Sequence, residues 1–257
     1  MEKEYKKLVN FNKTMGFFHL VQAIIMLFLA TSLIQQITEF SPTIIQSYLT
    51  FDVSTQTLVT ETRDLFELPF GILVSMFLFI SALAHFTIVY KQEEYIEGLK
   101  NNINKYRWYE YALSSSIMIV LIATLFGVFE FSALLLIFVV NALMNIFGLV
   151  MEQLNQKEKE VKWEPFVWGS VAGITPWIVV LIYMFSNGNF DMVPWFVWAI
   201  VGTYFVAFNT FPVNMILQYK KVGKWKNYIY GERIYIILSL VAKSVLAWLV
   251  LFGAMQP

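Results

Sequence analysis

Seven apolar segments separated by polar connections dominate this sequence and restrict the folds available to it. The segments lie at about 14–37, 66–90, 106–128, 131–153, 165–187, 191–218 and 232–254. Each has about the 20 residues that a helix needs to cross a lipid bilayer. Because 58% of the residues are hydrophobic and only 14% are charged, the sequence predicts an all-α membrane protein. We expect a bundle of seven transmembrane helices that forms a single domain over residues 1–257.

The basic residues give this predicted bundle a direction. Sixteen of the 18 Lys and Arg residues lie in the N-terminal segment or in the connections that follow the second, fourth and sixth segments. On the other side only Arg63 lies in a connection, and Lys243 lies within the last segment. The positive-inside rule therefore places the N-terminus in the cytoplasm and the C-terminus outside. We expect a cell-membrane protein whose first segment is a retained helix and not a cleaved signal peptide.

The outer connection between the first two segments is unusually long, from about residue 36 to residue 65. It contains two β-prone runs, YLTFDV at 48–53 and TLVT at 57–60, with Ser-Thr-Gln between them. Two such runs around a short polar stretch predict a β-hairpin. An irregular loop is the alternative.

Lys243 is the only ionisable side chain in the stretch from residue 234 to residue 253. A lysine buried in a membrane is costly whether its charge is kept or lost, so it predicts a functional site. A lysine amine, unlike an arginine guanidinium, forms a Schiff base with a carbonyl. Ser239 lies one turn earlier on the same helix face. Its hydroxyl either hydrogen-bonds such a Schiff base or is simply small enough for close helix packing.

Glu110 is the candidate partner of Lys243, although it also has a simpler interpretation. It follows Arg107 by three residues, so it is either a site residue or an interfacial carboxylate paired with Arg107 or Lys105. Lys243 follows Arg233 by ten residues, which places it deeper than Glu110 by on the order of 10 Å. The lysine stem leans toward the start of its own helix and closes part of this difference. The spacing permits the pair without requiring it.

Two histidines are predicted at a depth similar to that of Glu110. His19 follows Lys13 by six residues, and His85 precedes Lys91 by six residues. Three titratable groups on three helices predict a polar cluster on the cytoplasmic side, although each histidine alone is more typical of a hydrogen-bonded packing residue. Further polar residues either join this cluster or bond between helices: Gln22, Ser81, Asn141 and Asn145.

Two runs of the sequence resemble the heliorhodopsins: RWYEYALSSS at 107–116, which contains Glu110, and LSLVAKSVLAW at 238–248, which contains Lys243. This is a family of retinal-binding, seven-helix proteins with the inverted orientation that the charges predict here. The resemblance extends from His19 to Lys243, nearly the whole chain. It implies a rhodopsin-like bundle in which Lys243 binds all-trans retinal covalently as a Schiff base. Glu110 is then the counterion and Ser239 a hydrogen-bonding neighbour.

The resemblance also assigns residues around the chromophore. Those that match positions lining it are Ser115, Met118, Asn141, Met144, Gly148 and Phe208. Those that match a polar cluster on the cytoplasmic side of the Schiff base, a candidate region for accepting its proton, are His19, Gln22, Ser81 and His85.

The function implied is that of a photoreceptor, in which photoisomerisation is followed by loss of the Schiff-base proton. Apart from Glu110 we find no intramembrane acid that would complete a proton relay, and this shortage argues against ion pumping. A light-driven ion or proton transporter is the alternative. A third hypothesis is a retinal-free seven-helix protein that uses Lys243 in an ion pair.

The expected partners follow from the same comparison. The outer hairpin is similar to one that the family uses in its homodimer contact, and the lipid bilayer surrounds the helices. A cytoplasmic signalling partner is plausible, although no motif identifies it.

The chain has no Cys, which excludes disulfides and thiolate metal sites. We expect no metal site, no nucleic-acid partner and no enzymatic activity.

Overall fold

The computed structural model describes residues 2–34, 40–186 and 195–254, and within these ranges it contains eight α-helices and one β-hairpin. The helices are α1 (Glu2–Phe28), α2 (Phe70–Tyr90), α3 (Gln92–Lys100), α4 (Lys105–Leu125), α5 (Phe131–Leu154), α6 (Glu164–Ser186), α7 (Trp195–Tyr219) and α8 (Tyr228–Ala254). One π-helical turn, Leu29–Leu33, continues α1, and a 3-10 turn, Gly223–Lys226, precedes α8. The strands are β1 (Thr43–Asp52) and β2 (Thr57–Glu67).

Six of the described helices are long and apolar enough to cross a membrane: α1 with its π-helical turn, α2, α4, α5, α6 and α7. The remaining long helix, α8, has 27 residues and packs against α1, α2 and α7. It carries Glu232, Arg233 and Lys243, which lower its average hydropathy. The predicted all-α membrane bundle is therefore confirmed.

Several helix boundaries differ from the apolar segments. Helix α1 begins at Glu2 and not at residue 14, since the polar residues before the apolar run belong to the same helix. Helix α2 begins only at Phe70, because residues 66–67 belong to β2. Residues 35–37 of the first predicted segment, and residues 187–194, which contain the end of the fifth segment and the start of the sixth, lie outside the described residues.

The short helix α3 was not predicted from the sequence. It buries Tyr95 and Leu99, which lie four residues apart on one face, while Glu93, Glu94 and Glu97 lie toward solvent. This is an amphipathic pattern at helical spacing. A search for apolar runs of about 20 residues cannot detect a helix of this kind.

The predicted β-hairpin is confirmed, and it is docked on the helices. Its strands are antiparallel, from Thr43 opposite Glu67 to Asp52 opposite Thr57, with a register shift between Ile44 and Ile45. The amide of Ile45 donates to the carbonyl of Phe129 in the α4–α5 turn at 3.0 Å. We call this end of the bundle the hairpin end, and the opposite end, where α1 and α8 begin, the basic end.

The interior differs between the two ends. Toward the hairpin end the core is apolar, with Val74, Phe77, Leu78, Ile119 and Ile122 fully buried. Toward the basic end the buried side chains include large aromatics and many polar or charged groups: Asn12, His19, Tyr95, Arg107, Trp108, Glu110, Glu152, Glu232 and Tyr235. Lys243 lies where these two regions meet.

Candidate functional site

Lys243 forms a buried ion pair with Glu110. Its Nζ donates to Oε1 of Glu110 and, at 2.7 Å, to Oγ of Ser81. The Ser81 hydroxyl donates to the same carboxylate oxygen at 2.6 Å. Lys243 is 3% exposed and Glu110 is 8% exposed, so the charges compensate each other away from solvent. The depth difference expected from the sequence is bridged, and α2, α4 and α8 converge on one polar site.

The alternative interpretation of Glu110, as an interfacial partner of Arg107 or Lys105, is wrong. Lys105 pairs with Glu94 on the exposed face of helix α3. Hydrogen bonds from the Lys105 ammonium and from the Tyr106 hydroxyl lower the pKa of Glu94. Arg107 is buried and makes ion pairs with two other carboxylates.

The two histidines lie together behind this site. Their rings stack at a centroid distance of 5.4 Å. His85 Nδ1 is 2.8 Å from Asn12 Oδ1, and Asn12 donates to Tyr95 Oη at 3.3 Å. His19 is fully buried, and among the described residues neither of its ring nitrogens has a hydrogen-bond partner. Helices α1 and α2 thus place two imidazoles beside the ion pair.

Gln22 does not join these histidines through its hydrogen bond. Its amide donates to the carbonyl of Phe18, within its own helix, at 3.4 Å. Ser239 is buried one turn from Lys243, and its hydroxyl has no hydrogen-bond partner among the described residues. It faces a small cavity of about 30 Å³ that Ser81, His85, Glu110, Arg107 and Glu232 also line.

A much larger cavity lies on the other side of Lys243, enclosed by α4, α5, α6, α7 and α8. Its volume is about 350 Å³, within the range of about 300–1,000 Å³ that is typical of small-molecule sites. The predicted chromophore residues that line it are Ser115, Met118, Met144, Gly148 and Phe208. Asn141 instead lies one layer behind, where its amide donates to Ser115 Oγ at 2.8 Å and to Ser116 Oγ at 3.1 Å.

The cavity walls are aromatic and depend on glycines. Its aromatic lining comprises Trp108, Tyr111, Phe166, Trp177, Tyr204, Phe208, Phe211 and Tyr235. A Cβ at Gly148 would lie 2.2 Å from Trp108 Cζ3, and one at Gly173 would lie 2.5 Å from Met144 Sδ. Because Gly148 and Gly173 carry no side chain, α5 and α6 leave room for Trp108 and Met144, which form part of the cavity wall. The amine of Lys243 and the apolar, aromatic walls of the cavity fit an apolar ligand attached at that lysine.

A second charged cluster, missed from the sequence, lies toward the basic end. Arg107 pairs with both Glu152 and Glu232, which are 2% and 0% exposed. Asn104 donates to Glu152 Oε2 through its backbone amide at 2.9 Å and to Glu232 Oε2 through its side chain at 2.8 Å. Tyr228 Oη donates to Glu152 Oε1 at 3.1 Å. We call Arg107, Glu152 and Glu232 the arginine triad.

The arginine triad corrects the expectation that Glu110 is the only acid within the bundle. Glu152 ends the fourth apolar segment and Glu232 begins the seventh, so both resemble the charges that flank membrane helices. Trp108 joins the two sites, because its ring lines the large cavity while its Nε1 donates to Glu152 Oε2 at 2.8 Å.

The fold and the site define a helical membrane protein in which a buried lysine–carboxylate pair meets an apolar, aromatic cavity of ligand size. The heliorhodopsin family model matches residues 8–255. The chain therefore belongs to the heliorhodopsin family, as the resemblance predicted. Membership implies a retinal chromophore and a photoreceptor-like rhodopsin. No curated protein matches the sequence.

Proposed function

We propose that this chain is a light sensor in which Lys243 carries all-trans retinal as a protonated Schiff base and Glu110 is the counterion. One observation carries the proposal: the Nζ atom of Lys243 contacts Glu110 and Ser81 on one side, while Lys243 lines the 350 Å³ cavity on the other. Ser115, Met118, Met144, Gly148 and Phe208 would hold the chromophore there, with Asn141 supporting Ser115 from behind.

When bound, retinal supplies light absorption and a change of shape. The protein supplies the electrostatics at Nζ. Glu110 holds a proton on the nitrogen, because a positive charge in a low-dielectric interior needs a nearby carboxylate. Ser81 fixes the carboxylate oxygen, and the Tyr111 ring lies 5.1 Å from Nζ, within the range of a cation–π interaction.

Among the described residues, the candidate acceptors for a proton that leaves Nζ lie on the basic side. Glu110 is the nearest, and the imidazoles of His85 and His19 lie behind it. Groups in such contact titrate as a set, so the proton belongs to the cluster and not to one residue. His19 is a good candidate acceptor within this cluster, because its ring nitrogens have no hydrogen-bond partner among the described residues.

We propose that the protein senses light without pumping ions. A proton pump needs titratable groups on both sides of the Schiff base. Among the described residues the three buried carboxylates are Glu110, Glu152 and Glu232, at the ion pair or on its basic side. Toward the hairpin end the core is apolar, so the described part of the chain offers a proton no comparable route there. Light-driven transport stays the alternative.

Orientation and assembly complete the proposal. The distribution of Lys and Arg supports a cytoplasmic N-terminus and an outward hairpin in the cell membrane. The hairpin exposes Leu49 and Leu58, each at 65%, and Phe51 at 54%. An exposed apolar surface of this kind is typical of a protein interface, which supports the homodimer contact. A cytoplasmic partner would carry the output.

The Schiff-base assignment is tested by adding all-trans retinal to Lys243→Ala. We expect no visible absorption band, because no amine is left at the cavity. The variant leaves Glu110 buried without its cation, so Lys243→Ala/Glu110→Gln is the matched variant that removes both charges. Circular dichroism checks that each is folded. A folded variant that keeps the colour of the parent would refute the attachment site.

The counterion and transport assignments need separate measurements. Glu110→Gln should change the absorption maximum, because it removes the negative charge beside Nζ; an unchanged spectrum would exclude Glu110 as the counterion. Vesicles containing the parent protein should show no light-induced pH change. A change that a protonophore abolishes would favour the transporter.

A further inference from the structure

The connection between α7 and α8 differs from the rest of the basic end in its charge. Between Tyr219 and Gly231 the sequence has four lysines and no Asp or Glu. We call residues 220–227 the basic loop. All four of its lysines are exposed: Lys220, Lys221, Lys224 and Lys226. Within the described part of the chain none of them has a carboxylate partner.

The other basic segments are mixed with acids. At the N-terminus Lys6 pairs with Glu2 at 3.8 Å. Lys105 pairs with Glu94 in the connection that contains α3. In the α5–α6 connection Lys162 pairs with Glu158 at 2.8 Å, and Lys157 and Lys159 alternate with acids there. The positive-inside rule accounts for lysine at all four segments, but it does not account for the absence of acids in one.

The basic loop is also folded. Trp225 Nε1 donates to Asn214 Oδ1 on α7 at 2.7 Å, and the Trp225 ring lies edge-on to Tyr230 at 5.0 Å. The amide of Val222 donates to the carbonyl of Leu217 at 3.1 Å. Lys221 and Gly223 both have φ of 53°, which reverses the chain directly after α7. The lysines are therefore held within a few residues of α7 and α8, at the basic end of the bundle.

We propose that the basic loop binds the anionic phospholipid headgroups of the membrane that its helices cross. Clusters of four or more lysines directly beside a membrane helix attract anionic lipids, and no acid in the loop offsets them. The half-buried Trp225 and Tyr230 fit the interfacial position of aromatic side chains. An acidic protein is a less suitable partner, because the loop is short and lies against the membrane.

The test uses the full chain without retinal, so its outcome does not depend on the proposed light response. The protein is reconstituted in phosphatidylcholine vesicles containing dansyl-labelled phosphatidylglycerol, and energy transfer from tryptophan reports the lipid around it. We expect the parent to enrich phosphatidylglycerol about tenfold or more over labelled phosphatidylcholine. Lys220, Lys221, Lys224 and Lys226 replaced together by Gln should remove most of this preference.

Two matched variants make the result specific. Lys157, Lys159 and Lys162 replaced together by Gln should keep the enrichment, because Glu158 and Glu160 already offset most of the positive charge of that connection. The four loop lysines replaced by Arg should also keep it, and should lose it in high salt. Equal losses in the two Gln variants would refute the proposal. Preference of the loop for an acidic peptide over phosphatidylglycerol vesicles would also overturn it, in favour of a protein partner.

Discussion

The two halves of this bundle use their buried volume differently. In the hairpin half, side chains such as Phe77, Leu78 and Ile122 fill the interior and leave no exposed surface. In the basic half, the interior holds one ion pair, two stacked histidines and the arginine triad. Hydrophobic packing stabilises without direction, whereas buried charges stabilise only with complete partners. In the basic half, moving one proton would therefore change the balance between buried charges and their partners.

This difference supports a sensor whose output lies on the basic side. The arginine triad links the start of α4, the end of α5 and the start of α8. Trp108 touches both the large cavity and Glu152. A change of shape in the cavity therefore has a direct contact path to the connections at the basic end. Among the described residues, the apolar half has no such charged path.

The largest expected effect comes from breaking the arginine triad. Arg107→Ala leaves Glu152 and Glu232 buried without their cation, which should destabilise the fold by about 3–5 kcal/mol. Denaturant unfolding in detergent, followed by circular dichroism, measures this loss. Lys105→Ala is the control, because it removes an ion pair with Glu94 that is exposed to solvent and therefore contributes little to stability. Similar losses for the two variants would show that the triad does not stabilise the basic half.

The arginine triad also marks the limit of what the sequence could reveal. Lys243 stood out because it is alone in an apolar stretch, and the hairpin because its strands are local in sequence. Arg107 and Glu232 are 125 positions apart, and each lies where flanking charges are expected. Nothing local distinguishes a buried terminal charge from a solvated one, since burial depends on how far each helix extends. Helix α3 was missed for a related reason, because its amphipathic face contacts the bundle and not lipid.

The Lys243–Glu110 pair shows the intermediate case. Residue counting permitted this pair but left a depth difference of on the order of 10 Å, and it was the resemblance to the family that assigned Glu110 to Lys243. In the structure the Nζ atom of Lys243 reaches Oε1 of Glu110 directly, so the difference is bridged. The cavity lining was accessible only through family resemblance, because five helices contribute to it.

A smaller effect is expected at the boundary between the cavity and the triad. In Gly148→Ala the new Cβ would lie 2.2 Å from Trp108 Cζ3, so the indole must move and its hydrogen bond to Glu152 must weaken. Overpacking of this kind should cost about 1–3 kcal/mol. Gly202→Ala is the control, because a Cβ there meets nothing within 4 Å and alanine favours the helix by about 0.5–1 kcal/mol. If Gly148→Ala were as stable as Gly202→Ala, Trp108 would not be held tightly between the two sites.

The smallest effect is expected at the hairpin end, where a single carboxylate fastens the hairpin to the helices. Glu130 Oε2 accepts from the Ser47 amide at 3.0 Å and from its hydroxyl at 3.1 Å, and Oε1 accepts from Ser132 at 2.9 Å. The bond from Ser132, together with those from Ser47, lowers the pKa of Glu130. Because the folded pKa is depressed, this contribution is complete above the unfolded value of about 4.3 and is lost as the pH falls through the folded pKa.

Hydrogen exchange of residues 43–67 measures this fastening. Between pH 6 and about pH 3, exchange corrected for the intrinsic rate should accelerate in the parent. Glu130→Gln should exchange faster already at pH 6 and should lose most of the pH dependence. Glu61→Gln is the control, because Glu61 accepts only from Tyr48 within the hairpin, at 3.1 Å. If both variants behaved alike, the hairpin would be held by its apolar contacts, including the buried Ile44, and the hairpin half would rely on packing at its edge as it does in its core.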